Sequence, residues 1–93
     1  MDEIEFRYDT QLLLDVYNPS DDIEDELDEY IRTHFKGDSL LVIADEDDNG
    51  VTTAKLHFHT NEPWQILEYC RTLGEIYDIV VEDMIRQSRG AKG

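Results

Sequence analysis

Apolar and polar residues alternate almost without fault from Ile4 to Val16. Ile4, Phe6, Tyr8, Thr10, Leu12, Leu14 and Val16 fall on one side, and Glu5, Arg7, Asp9, Gln11, Leu13 and Asp15 on the other. Successive side chains of a strand point to opposite faces, so this period of two predicts a strand with one buried face. Asn18-Pro19-Ser20 breaks the pattern, and Ser20 or Asp21 is placed to cap a helix. Ile23, Leu27, Tyr30, Ile31 and Phe35 then recur at helical spacing until Gly37 ends the run. Acidic residues from Asp21 to Glu29 crowd the first turns, where the helix dipole favours negative charge. They read first as a solvated helix face and second as a cation or partner site. His34, beside Lys36, suits the opposite end of the dipole.

A continuous apolar run, Leu40-Leu41-Val42-Ile43, predicts a second strand over Ser39 to Ala44. Asp45-Glu46-Asp47-Asp48-Asn49-Gly50 follows as a turn, with Asn-Gly as its hairpin signal. Four carboxylates in six residues raise the question of calcium. The spaced Asp positions, central Gly and distal Glu of a calcium loop are absent, however, which favours a plain turn. Val51 to Thr60 is the third strand, and Asn61 or Glu62 caps a helix that Pro63 starts. Ile66, Leu67, Cys70 and Leu73 make its buried stripe and Gly74 its stop. Ile76 to Glu82 supplies a fourth strand. The division expected is one domain over 1–84 and a flexible tail over 85–93.

Strand, helix, strand, strand, helix, strand is the order of a ferredoxin-like βαββαβ sandwich, an α+β fold. Its four-stranded antiparallel sheet has the order 4-1-3-2, with two helices on one face. In that topology the first and third strands are central neighbours of opposite sense, so the start of one lies beside the end of the other. His57 and His59 share one face of the third strand, about 6–7 Å apart at Cβ, a separation over which two imidazoles converge on one ion. Parity sends Tyr8, Leu12, Leu56 and Phe58 to the helix side and leaves Asp9 on the bare side with both histidines. Alone, His-x-His reads more simply as a half-exposed strand that carries two histidines. With Asp9 it becomes a three-residue candidate metal site.

Composition narrows the partners. Ninety-three residues with 40% hydrophobic and 10% aromatic content suffice for one modest core. A net charge of -15 repels nucleic acid and anionic membrane surfaces and attracts basic surfaces and cations. The single cysteine, Cys70, leaves no internal disulfide and lies in an apolar stripe as a core residue. No apolar run reaches membrane-spanning length, and Met1-Asp2-Glu3 is acidic where a signal peptide is basic, so a cytoplasmic location is expected. On the bare sheet face Leu13 and Tyr17 suit a homodimer or partner contact.

Several runs carry a resemblance: Tyr8-Asp9-Thr10, Gly37-Asp38-Ser39-Leu40-Leu41-Val42, Lys55-Leu56-His57-Phe58-His59-Thr60-Asn61-Glu62-Pro63, Leu67-Glu68-Tyr69, Leu73-Gly74-Glu75-Ile76 and Val81-Glu82-Asp83-Met84. Together they resemble the middle domain of the dihydroxyacetone-kinase-like bacterial fatty acid kinases, in their ATP-binding subunit. The resemblance implies a zinc site built from a cysteine followed by Thr and from the two histidines of His-x-His-Thr, needed for phosphoryl transfer to a bound fatty acid. The histidines map onto His57 and His59. The cysteine position is Asp9, and a carboxylate in place of a thiolate opens the site to manganese or another divalent ion besides zinc. Trp64 stands where the family usually has Gly after the Pro, and Ser88 follows Gln87 where a histidine is common.

No Gly-rich phosphate loop or clustered magnesium-carboxylate motif is present, so ATP chemistry by this chain alone is not expected. The resemblance implies an accessory or interaction domain acting with a DegV-type fatty-acid-binding protein or a separate kinase subunit. The alternative is a metal-dependent phosphoryl-transfer component that contributes Asp9, His57 and His59 in trans. Arg71, on the second helix, is a further candidate helper, although a place in solvent suits it better.

Overall fold

Ten residues of alternation, Tyr8–Tyr17, form the central strand β1 of the computed structural model, which describes residues 5–89. The other elements follow in the expected order: α1 (Ile23–His34), β2 (Gly37–Glu46), β3 (Val51–Thr60), α2 (Pro63–Leu73) and β4 (Glu75–Asp83). The sheet runs β2-β3-β1-β4, all neighbours antiparallel, which is the expected order read from the other edge.

Every second residue of the two central strands points into one core. Leu12, Leu14 and Val16 of β1 and Ala54, Leu56 and Phe58 of β3 are buried against Leu27 and Ile31 of α1 and Ile66 and Cys70 of α2. Both helices therefore lie on one face. At about 1.5–3 kcal/mol per fully buried large apolar side chain, this cluster is the main stabilising term and fixes strand parity, because a one-residue slip would expose it. Thr10 shares that face, is fully buried, and its hydroxyl has no hydrogen-bond partner. Burial also pushes the Cys70 thiol up to about 12, which makes it an inert core atom at neutral pH.

The ends of elements depart from the sequence reading. The first strand begins at Tyr8, not Ile4, and Ile4 lies outside the described residues. Arg7 leaves the ladder because its N–H donates to the Asn61 side chain at 2.8 Å. Asn61 is thereby taken from helix capping, and neither α1 nor α2 has a side-chain cap. Ser20, expected as a cap, donates instead to Glu26 at 2.6 Å. Met84 and the first four residues of the expected tail, 85–88, form a one-turn α3 (Met84–Ser88), whose start is capped by the Asp83 carboxylate accepting from the backbone of Ile85 and Arg86. The Arg7 guanidinium also grips Asp83 through two hydrogen bonds, of 3.0 and 2.7 Å, and holds its carboxyl down at about 2. The remainder of the expected tail, 90–93, lies outside the described residues.

Of the two glycines expected as helix stops, Gly74 does stand at the end of α2, its N–H donating to the Cys70 carbonyl at 3.2 Å, and both have a further role. A Cβ on Gly37 would run into the His59 carbonyl and the Phe58 ring, and one on Gly74 into the Asp15 carbonyl. These are places where backbones pack too closely for any side chain. Helix α1 has already ended at His34, whose ring stacks on Tyr30 at 3.8 Å.

Candidate metal centre

The face of the sheet opposite the helices is bare among the described residues, and its side chains stand in rows across the four strands. One row is Asp38, His59, Asp9 and Glu82; the next is Leu41, His57, Gln11 and Val80; the third is Ile43, Lys55, Leu13 and Tyr77. The parity of β1 and β3 that buries Leu12 and Phe58 is what turns Asp9, His57 and His59 outward. All three are half-buried.

His57 Nε2 lies 3.1 Å from Asp9 Oδ1 and 3.1 Å from His59 Nε2, and His59 Nε2 lies 3.9 Å from the same Asp9 oxygen. The point equidistant from these three atoms is about 2.0 Å from each, which is the length of a zinc–nitrogen or zinc–oxygen bond. Donor chemistry fits as well. Asp38 Oδ1 sits 3.4 Å from His59 Nδ1 and favours the proton there, which leaves a lone pair on Nε2 facing the cluster. The Gln11 amide nitrogen lies 3.5 and 3.4 Å from the two Asp9 oxygens and holds that carboxylate in place. Two imidazoles and a carboxylate with one side open to solvent is a three-ligand set that leaves room for a further ligand.

The other acidic and basic candidates lie elsewhere. Asp47 of the β2–β3 turn is used by the turn itself, accepting from the backbone of Asn49 at 2.7 Å and Val51 at 3.0 Å. Arg71 is on the exposed side of α2, across the sheet from the triad, so it is not brought to the site. His34 is held in its own helix by the Tyr30 carbonyl and the Thr33 hydroxyl. Among the described residues, Asp9, His57 and His59 are the group of three whose ligand atoms converge.

Sequence reasoning missed Asp38 and Gln11. Gln11 was legible in principle, two residues from Asp9 on the same face. Asp38 was not, because β2 carries an extra residue between Asp38 and Leu41, with Ser39 at φ 56°. Counting by twos back from Leu41 puts Asp38 under the helices.

Residues 5–91 match the family of FakA-like middle domains, named for the fatty acid kinases. The chain belongs to that family. The relatives it matches are much longer proteins. Protein YloV of Bacillus subtilis is 34% identical over 86 residues, covering 92% of this chain and 14% of YloV. An uncharacterized protein of Staphylococcus saprophyticus is 42% identical over 53 residues, 57% of this chain and 9% of the relative. One from Staphylococcus haemolyticus is 40% identical over 53 residues, with the same coverage. The chain thus spans under a sixth of each of these relatives. This FakA-like middle domain has no helix among the described residues long and apolar enough to cross a membrane.

Proposed function

We propose that this domain is an accessory component of a fatty-acid-kinase-type system, and that its contribution is a divalent metal ion held by Asp9, His57 and His59 on the bare face of the sheet. The observation that carries the reading is the convergence of three donor atoms around one point at metal-bond distance. Zinc and manganese both suit two imidazoles and a carboxylate. When bound, such an ion supplies positive charge to a carboxylate or phosphate oxygen on a substrate. The chain's own residues do the rest. Asp38 and Gln11 orient His59 and Asp9, and the sheet keeps one side of the site open to a molecule presented from outside.

That molecule arrives on another component, a DegV-type fatty-acid-binding protein or a separate kinase chain. The bare face supports such docking, since Leu41 and Val80 stay 50% and 42% exposed in the row of His57 and Ile43 stays 45% exposed in the row beside it. The same face would also serve a homodimer. Metal analysis of protein purified without a histidine tag tests the proposal: one metal per chain in the parent and none in His57→Ala or His59→Ala. A parent free of metal at neutral pH, whose melting zinc and manganese leave unchanged, would reduce the domain to a docking module.

A further inference from the structure

The helix side of the sheet carries a feature that the metal reading leaves unused. Helix α1 buries Leu27 and Ile31, and Glu26, Glu29, Tyr30, Thr33 and His34 recur beside them at spacings of three and four, so they share one flank of the helix. Rings on that flank form a ladder. His34 stacks on Tyr30 at 3.8 Å with the planes 9° apart, and Tyr30 stacks on Tyr69 of α2 at 4.2 Å with the planes 5° apart. Two parallel rings this close to a third cannot share one of its faces, so Tyr30 is the middle rung. The ladder ties α1 to α2 and holds the imidazole in one orientation.

That imidazole borders a hollow of about 310 Å³, lined by Glu26, Glu29, Tyr30, Thr33 and His34. Its polar groups mostly present lone pairs. His34 Nδ1 lies 3.0 Å from the Tyr30 carbonyl oxygen, which only accepts, so the ring proton is on Nδ1 and Nε2 keeps a lone pair. The Thr33 hydroxyl donates to the Glu29 carbonyl at 2.8 Å, which leaves its oxygen as an acceptor. Glu26 accepts from Ser20 at 2.6 Å, and neither Glu26 nor Glu29 is ion-paired among the described residues. Arg32, on the same helix, is held by Asp28 through two hydrogen bonds, of 3.0 and 3.1 Å. Two carboxylates, an imidazole nitrogen and a hydroxyl oxygen thus call for a cation that only donates. A guanidinium answers best, with five N–H donors spread over a plane and weak hydration, whereas an ammonium concentrates three donors on one strongly hydrated point.

We infer that this flank of α1 is a docking site for an arginine side chain on a basic segment of another protein, with Glu26, Glu29, Thr33 and His34 as its acceptors. The overall charge selects the same occupant: at -15 a second copy of this chain is repelled and a basic surface is attracted. The hydrogen bonds from the guanidinium to the carboxylates are charge-assisted, and the ladder has already fixed the imidazole before the partner arrives. The flank lies across the sheet from Asp9, His57 and His59, so the inference is independent of the metal site. A partner held here leaves the bare face free.

The test titrates the chain with a short arginine–glycine peptide and with its lysine and citrulline counterparts, followed residue by residue by nuclear magnetic resonance. The arginine peptide should give saturable shifts centred on Glu29, Thr33 and His34, the lysine peptide should bind more weakly, and the neutral citrulline peptide should not bind. Glu29→Gln, and His34→Phe, which keeps a ring on the ladder but removes Nε2, should each weaken the arginine peptide roughly tenfold, the loss of one hydrogen bond to a charged group. Both positions are exposed, so the variants keep the parent fold. Asp48→Asn, which removes the same charge from the exposed β2–β3 turn, should bind as the parent does. Lysine or citrulline peptides that bind as tightly as arginine, an Asp48→Asn loss equal to that of Glu29→Gln, or no saturable shift on this flank would each overturn the inference.

Discussion

Asp9 reaches the imidazole diagonal to it, not the one directly across. In the β1–β3 register Asp9 faces His59, yet its carboxylate lies 3.1 Å from His57 Nε2 and 3.9 Å from His59 Nε2. The diagonal contact pulls the three donors into a triangle whose shortest sides both end at His57. His57→Ala should therefore abolish metal uptake, while Asp9→Cys should keep it and move the preference from manganese toward zinc, since thiolates favour the softer ion. Competitive titration of the two metals decides it; an unchanged preference in Asp9→Cys would exclude Asp9 as a ligand.

Asp38 acts on the site only through His59. Removing carboxylates that orient metal-bound histidines usually weakens metal affinity about 10- to 100-fold. Asp38→Asn should fall at the lower end, about tenfold, because its side chain is 59% exposed. Isothermal titration with zinc on folded protein measures this, and equal affinities would assign Asp38 to the solvent alone.

The Arg7–Asp83 clasp predicts a pH dependence. Hydrogen bonds from Arg7 hold the Asp83 carboxyl at about 2, below its ordinary 3.8, so the folded state binds this proton less readily than the unfolded chain does. The stabilisation is fully present above about pH 3.8 and is lost as pH falls through 2. Asp83→Asn should melt below the parent at pH 7, and the gap should close as the pH is lowered from about 4 to about 2. A gap that stays constant across that window would dissociate the clasp from stability.

Thr10 carries a hydroxyl into the core without a partner. Thr10→Val keeps the shape and removes an unsatisfied polar group, so it should stabilise by about 1 kcal/mol, or roughly 4–8 °C in melting temperature for a domain of this size. Thermal or urea unfolding measures it, and a loss of stability would mean that the hydroxyl is satisfied in solution.

Cys70 should resist iodoacetamide and disulfide reagents in the folded protein at neutral pH, because burial raises its thiol to about 12 and closes access. Reaction should appear only on unfolding, which makes the thiol a probe of global opening. Rapid labelling under native conditions would contradict the packing of α2.

Much of this was legible in the residues because alternation is a strong signal when one face is buried. Leu12, Leu14, Leu56 and Phe58 fix the parity of β1 and β3, and parity alone turned Asp9, His57 and His59 to a common side. Topology rules supplied the rest of that juxtaposition. What escaped was set by long-range contacts. Asn61 looks like a cap until Arg7 is beside it, and Gly37 looks like a helix stop until the His59 carbonyl and the Phe58 ring are packed against it. Asp38 gains its meaning from His59 on the neighbouring strand, which no local period encodes.

Both outer strands of the sheet carry one surplus residue, β2 between Asp38 and Leu41 and β4 opposite Leu12, each with a residue of positive φ. A strand from another molecule that tried to extend the sheet would fall out of step at that level on either margin. Growth into ribbons or fibres is thereby discouraged, and encounters with other molecules are steered onto the broad surface where the histidines stand.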